Sequence, residues 1–258
     1  MISLQEIQSY YPNRLHPYGA FLLREYLQYK ILEILFTCTY AGQFSFLGGT
    51  CLRIVHDNQR FSEDLDFDNF NLTKEDFAEV SNIIKHGLER EGYYVEIRNV
   101  FSGAFHCYIR FPGLLFQAGL TGHREAKILI NLDTEPQGFN FKPEIRFLNK
   151  FDVFTSIFTT PIDILLSQKI LALTNRRQPK GRDFFDTVFL MGKTKPNYDF
   201  LEKRMNISTS ESLREHLIST CKVLDFAMLA NDVQPFLFNP EDMKRVTMFP
   251  KYIETVPL

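Results

Sequence analysis

A chain of 258 residues, 45% hydrophobic and 23% charged, carries enough apolar material for one large or two small cored domains of an ordinary globular protein. Its formal net charge of −2 excludes a global field that gathers polyanions, so any nucleic acid must meet a local basic patch. The 26 Phe and 11 Tyr point to a ring-packed core, and the dispersed Cys38, Cys51, Cys107 and Cys221 show no paired metal spacing and read as thiols of a reducing compartment.

In chain order, Met1 to Tyr11 lacks the basic start and apolar run of a secretory signal. Apolar residues at helical spacing over residues 18 to 40 (Phe21, Leu22, Tyr26, Tyr29, Leu32, Leu35, Phe36) predict one long buried helix. The most apolar stretch, Leu27 to Ala41, is interrupted by Lys30 and Glu33 and is too short to span a bilayer. The expectation is therefore a cytoplasmic protein without a membrane partner. Phe44 to Leu47 predicts a short strand, Gly48-Gly49 a tight turn, and Leu52, Ile54 and Val55 the helix behind it.

Leu65 and Phe67 alternate with Asp64, Asp66 and Asp68, the period of a strand with one acidic face. Thr73 with Asp76 forms a capping-box pattern that opens a helix running to about Arg90, and Gly92 ends it. Strands are predicted over residues 93–100, 104–111 and 126–133, punctuated by Gly and Pro. From about residue 160 the pattern turns helical. Thr160 is expected to cap a helix with Pro161 in its first turn, Gly192 to stop a later one, and Asn239-Pro240 to start the last. The plan is a mixed α/β half, residues 1–158, followed by a helical half, residues 159–258.

The chemistry concentrates between residues 46 and 70. Two carboxylates two apart on a strand, Asp64 and Asp66, share a face and repel unless a cation sits between them. A hard dication such as Mg²⁺, or Mn²⁺, suits that pair and completes its shell with substrate phosphates. Gly48 and Gly49 let backbone N–H groups approach a phosphate at a helix start, and Thr50 adds a hydroxyl. Each feature alone is more often a turn or a solvated acidic face; the spacing joins them. Gly49-Thr50, thirteen residues, then Asp64-Leu65-Asp66-Phe67 resembles the signature of the DNA polymerase β-type nucleotidyltransferase superfamily.

The likeness is closer still to one family. "GGTCLR" followed by "RFSEDLDF" resembles the AbiEii/AbiGii toxin family of nucleotidyltransferases. A second block, "LLSQKILALTNRRQPKGRDFFD" at residues 165–186, is similar to that family's Lys-bearing helix and Lys-Gly-Arg-Asp motif. "ILINLDTEPQGF" resembles its strand with the third carboxylate. The resemblance implies an α+β fold, a polymerase β-like domain with a mixed or antiparallel sheet followed by a helical domain. It implies metal-dependent transfer of a nucleotidyl group from a nucleoside triphosphate, and a toxin of a toxin–antitoxin or phage-defence pair. An RNA such as tRNA and a cognate antitoxin are the implied partners.

On the site residues, the resemblance implies Asp64, Asp66 and Asp133 at the metal. Asp133 is equally a strand-end turn acid before Thr134-Glu135-Pro136. Where the family's strand reads acid–apolar–acid, this one has Asn131, which can offer an oxygen but no base. That departure keeps open a nucleotide-binding protein with weakened turnover. Lys169, on the apolar face of its helix, is either a snorkelling lysine or a triphosphate ligand, and the resemblance favours the second. Arg53, Arg60 and Ser62 are candidate phosphate contacts, and the resemblance adds Lys180, Arg182 and Asp183 as candidate nucleotide-binding residues. Asp183 and Asp186, three apart, share a helix face and either orient Lys169 or Arg182 or favour the helix start. Arg176, Arg177, Lys180 and Arg182 form a cationic block suited to an RNA backbone. A protein or small-molecule acceptor is the alternative.

Overall fold

In the computed structural model, which describes residues 2–258, the chain divides into two compact units. The first comprises the residues up to His56 together with Phe61–Thr160, and the second Asp57–Arg60 together with Pro161–Leu258. No helix among the described residues is long and apolar enough to cross a membrane.

The first unit is built on seven strands: β1 (Phe44–Leu47), β2 (Leu65–Asn69), β3 (Glu96–Ser102), β4 (Ala104–Pro112), β5 (Lys127–Thr134), β6 (Glu144–Lys150) and β7 (Val153–Thr159). Its helices are α1 (Leu4–Ser9), α2 (Gly19–Thr37), α3 (Gly48–His56), α4 (Lys74–Arg90) and the short α5 (Leu114–Gln117). The strands form one mixed sheet in the order β3-β4-β5-β2-β1-β7-β6. Two pairings are parallel, β2 with β5 and β1 with β7, and the others antiparallel. The core follows the strand period. Leu65 and Phe67 on β2 and Ile128, Ile130 and Leu132 on β5 are buried, while Asp66, Asn131 and Asp133 alternate with them.

The predicted elements appear with a few shifts. The helix expected over residues 18–40 is α2, and its buried residues include Glu25, Gln28 and Lys30, each held by polar partners. Thr73 and Asp76 form the capping box of α4. At Gly48 no separate turn intervenes: β1 ends at Leu47 and α3 starts at Gly48, whose φ of 77° makes the corner in one residue. The third strand starts at Glu96 rather than at residue 93.

Thr160 does not cap the next helix. It is buried, its N–H donates to the Phe46 carbonyl and its hydroxyl bonds the Ser45 hydroxyl at 3.0 Å, which leaves Pro161 at the cap position without a side-chain acceptor. The β6–β7 hairpin has no counterpart among the predicted elements, because its alternation is inverted at key points. Ile145, Phe147 and Phe154 are exposed, whereas Thr155 and Thr159 are buried.

The second unit is helical: α6 (Ile162–Asn175), α7 (Gly181–Met191), α8 (Tyr198–Met205), α9 (Ser210–Cys221), α10 (Phe226–Val233), α11 (Lys244–Thr247) and α12 (Phe249–Thr255). Its core includes a ring cluster in which Phe184 meets Phe226 and Phe249 edge-on at 5.3 and 5.0 Å. Asp57–Arg60 belongs here through a bridge from Arg60 to Leu237 and a bond from the Phe238 N–H to the Gln59 carbonyl. Asn239 accepts from the Glu241 N–H and opens a 3₁₀ turn, Pro240–Met243, rather than an α-helix.

Candidate active site

The acidic face of the first unit is assembled by strand register. Leu65 lies opposite Leu132 and Asp66 opposite Asp133 across the parallel β2–β5 pair. In-register residues on neighbouring strands stand about 4.8 Å apart, so two half-exposed carboxylates are held side by side. Asp64 sits one residue before β2, two from Asp66. On the far side of β5 the antiparallel register sets His106 opposite Asp133, and its Nδ1 is 2.8 Å from Asp133 Oδ1. His106 was not legible as a site residue: nothing in the sequence fixes which β4 side chain meets Asp133.

The backbone leading into β2 is pinned from two helices. Gln28 of α2 donates from Nε2 to the carbonyls of Ser62 (3.1 Å) and Glu63 (2.9 Å). The Thr50 hydroxyl of α3 donates to the Asp64 carbonyl. Three consecutive carbonyls are thus tied down immediately ahead of the acid pair. Arg24 adds a 2.6 Å ion pair to Glu63. Thr50 is fully buried, so its hydroxyl positions Asp64 from within.

Gly48 closes the other side of Asp66. A Cβ at this position would overlap the Asp66 carboxylate, and its positive φ excludes most side chains independently. Gly49 follows in the first turn of α3, which therefore starts beside Asp66. Arg53, expected on phosphate, instead lies buried with Nε 2.9 Å from Glu25. Burial opposes the charge on Glu25, but Arg53 and Lys150, the latter at 3.0 Å, outweigh it and hold the carboxyl below its usual range.

In the second unit the family-like block forms a buried ionic cluster. Lys169 Nζ is 3.1 Å from Asp183 and 2.9 Å from Asp186. Arg60 reaches Asp186 at 2.6 Å and Asn58 donates to it at 2.8 Å. Arg176 Nε is 3.2 Å from Asp183. Both carboxylates are fully buried. Burial alone would raise the Asp186 pKa, yet Arg60 and Lys169 pull it down to about 2. For Lys169, burial opposes the charge and the two carboxylates outweigh it, so its pKa is raised.

Arg60 is thus an internal clamp and not the phosphate contact expected of it. Asp183 likewise faces cations of its own unit. Gly181 admits the start of α7 close to the Leu229 carbonyl, where a Cβ would not fit, and its N–H donates to Asp232. Lys180 is the residue before α7, with Arg182 in the first turn and Arg177 exposed on the preceding loop.

Among the described residues no group of three or more His, Cys, Asp or Glu side chains is arranged to hold a cation. Asp66 and Asp133 nonetheless present two hard oxygen ligands side by side, the partial set Mg²⁺ accepts when phosphates complete its shell. Asn131 adds an amide oxygen that is shut off from solvent and has no hydrogen-bond partner. The residues fit a divalent ion as an open site. The four cysteines are free thiols, and burial raises the pKa of Cys51 and Cys107.

The family model described as nucleotidyl transferase AbiEii toxin, Type IV TA system, matches residues 30–247. JHP933 from Helicobacter pylori is similar in fold, with 18% identity, a TM-score of 0.56 and 91% of each chain covered. MenT4, a nucleotidyltransferase toxin from Mycobacterium tuberculosis H37Rv, shares 14% identity at a TM-score of 0.59 over 100% of this chain and 91% of its own. No curated protein matches the chain.

Proposed function

We propose, for a chain that belongs to the AbiEii family of nucleotidyltransferase toxins, that it transfers a nucleotidyl group from a nucleoside triphosphate to RNA with a divalent cation bound. The observation that carries this reading is the register of Asp66 with Asp133, which brings acids from two distant chain segments together beside the glycine corner.

Asp64, Asp66 and Asp133 would hold Mg²⁺ or Mn²⁺, which when bound offsets the charge of the phosphate oxygens. The Gly48 and Gly49 amides, at the N-terminus of α3, bind the phosphate chain. Asp133, oriented by His106, accepts the proton of the acceptor hydroxyl. The hydroxyl oxygen bonds to the α-phosphorus, the bond from that phosphorus to the β-phosphate bridging oxygen breaks, and pyrophosphate leaves. Ser62, beside the pinned strand entry, is assigned to a phosphate oxygen. Lys169 organises the Asp183–Asp186 cluster, which sets the basic loop and the start of α7. Arg176, Arg177, Lys180 and Arg182 are assigned to the RNA backbone, and a cognate antitoxin is the partner that membership of a toxin family implies.

The test is incubation of the chain with each α-labelled nucleoside triphosphate, total RNA and Mg²⁺. Label is expected in RNA, and Asp66→Asn is expected to lose it. Labelled nucleotide that binds without release of pyrophosphate would overturn the transfer reading in favour of a binding protein. Label appearing on protein or small molecules would move the acceptor to that class.

A further inference from the structure

The strand register carries the acidic face outward into a second surface. Next to Asp133 on β5 comes Asn131 on the same face, and opposite it on β4 lies Tyr108. Opposite Tyr108 on the edge strand β3 lies Arg98, which is exposed. One step along, Arg110 pairs with exposed Leu129 on one side and Glu96 on the other. The Arg110 guanidinium lies 5.6 Å from the centre of the Tyr108 ring. The alternate residues Cys107, Ile109 and Phe111 are buried, so the set Arg98, Tyr108, Arg110 and Leu129 is the outward face of these three strands. Exposed Lys127 continues it at the start of β5.

An aromatic side chain on an open sheet face, flanked by arginines, is the chemistry that receives unpaired bases: the ring stacks a base and the cations track the phosphates. Tyr108 is half-buried on this face, and a duplex, whose bases stay stacked on one another, has no use for such a ring. The face therefore discriminates in favour of a single strand. Its outer part is complementary in charge to such a strand, with Arg98, Arg110 and Lys127 against Glu96. Its inner end is the Asp133–His106 pair. We infer that the outward face of β3–β4–β5, centred on Tyr108, is the platform on which a single-stranded RNA end lies as it enters the acid pair. This inference rests on the proposed transfer to RNA and names the form and seat of that acceptor.

The test uses the full chain and a fluorescent single-stranded RNA of about 12 nucleotides, followed by anisotropy, with the same sequence as a duplex for comparison. Tyr108→Ala is expected to weaken single-strand binding about tenfold, and Tyr108→Phe to restore it, since stacking needs the ring and not the hydroxyl. Arg98→Gln with Arg110→Gln should lower the slope of log affinity against log salt by about 0.7 for each phosphate that is no longer neutralised. That pair carries the test if Tyr108→Ala does not fold. Triphosphate affinity, measured alongside by calorimetry, is expected to be the same in all variants.

RNA binding that ignores both Tyr108 and the arginine pair, with triphosphate bound normally, overturns the platform and leaves transfer standing. Equal binding of duplex and single strand also overturns it. Single-strand binding that depends on Tyr108 in a chain that binds no triphosphate supports the platform and removes the transfer reading.

Discussion

Asp66 on β2 and Asp133 on β5 face each other in a parallel pair although 66 residues separate them in the chain. Like charges in register on adjacent strands repel, and the fold accepts that repulsion at its sheet centre. Asp66→Asn is expected to hold or raise the melting temperature in the absence of divalent ions. The same change should lower nucleotidyl transfer by about 100-fold or more. Parallel thermal melts and label-incorporation assays decide, and unchanged transfer would remove Asp66 from the site.

Lys169 is expected, from its place in the sequence, to touch nucleotide more than it supports the fold. The structure shifts that weight. Its ammonium is mostly buried between two carboxylates that have no access to water. Removing one partner of a buried ionic group leaves an uncompensated charge, so Lys169→Ala should destabilise by about 3–5 kcal/mol. Lys169→Ala combined with Asp183→Asn should recover part of it, because one buried charge leaves with the lysine. Denaturant unfolding of the single and double variants measures the difference.

Asp186 gives the same cluster an acid limit. Its carboxyl titrates at about 2 in the folded chain against 3.8 as the ordinary value, through Arg60 and Lys169 working against burial. A depressed carboxyl contributes stability that is present above 3.8 and is lost as pH falls towards 2. The contribution is on the order of 2 kcal/mol. Unfolding free energy measured from pH 5 down to pH 2 should fall more steeply in the wild type than in Asp186→Asn, although that variant starts less stable at pH 5.

The sequence made some of this legible and hid the rest for definite reasons. The strands that alternate cleanly, β2 and β5, carry Asp66 and Asp133, so period and motif could nominate these two, with Asp64 just ahead of β2, as candidates. The parallel pairing that joins them is non-local and leaves no mark in either segment. His106 and Tyr108 become visible only once β4 is set against β5. Arg53 and Arg60 looked like phosphate ligands because charge near a glycine corner invites that reading. Their buried partners, Glu25 and Asp186, lie 28 and 126 residues away. The β6–β7 hairpin was hidden by rings that point outward and threonines that point inward.

His106 offers a test of how Asp133 is held. Its Nδ1 lies 2.8 Å from the carboxylate, and neither side chain is more than a third exposed. If Asp133 holds the proposed cation, His106→Ala should lower the rate of transfer by about 10- to 100-fold, the range for groups that orient a metal-site ligand, with triphosphate KM little changed. His106→Asn, which keeps a donor at similar reach, should recover part of that loss. An equal loss in both variants together with a lower melting temperature would make His106 a structural residue only.

Gly48 supplies the last prediction, and its two constraints can be separated. At φ 77° a side chain is strained whatever surrounds it, and at this position a Cβ also overlaps the Asp66 carboxylate. The backbone part is about 1–2 kcal/mol. The overlap adds to it by pushing the carboxylate out of register with Asp133. Gly48→Ala should therefore lose transfer activity and melt several degrees lower than the wild type. In an Asp66→Gly background the overlap is gone, so Gly48→Ala should there show the backbone part alone. A double-mutant cycle on unfolding free energies gives the coupling between the two positions. A coupling of zero would mean that Asp66 moves aside freely, and that Gly48 serves the corner without holding the acid in place.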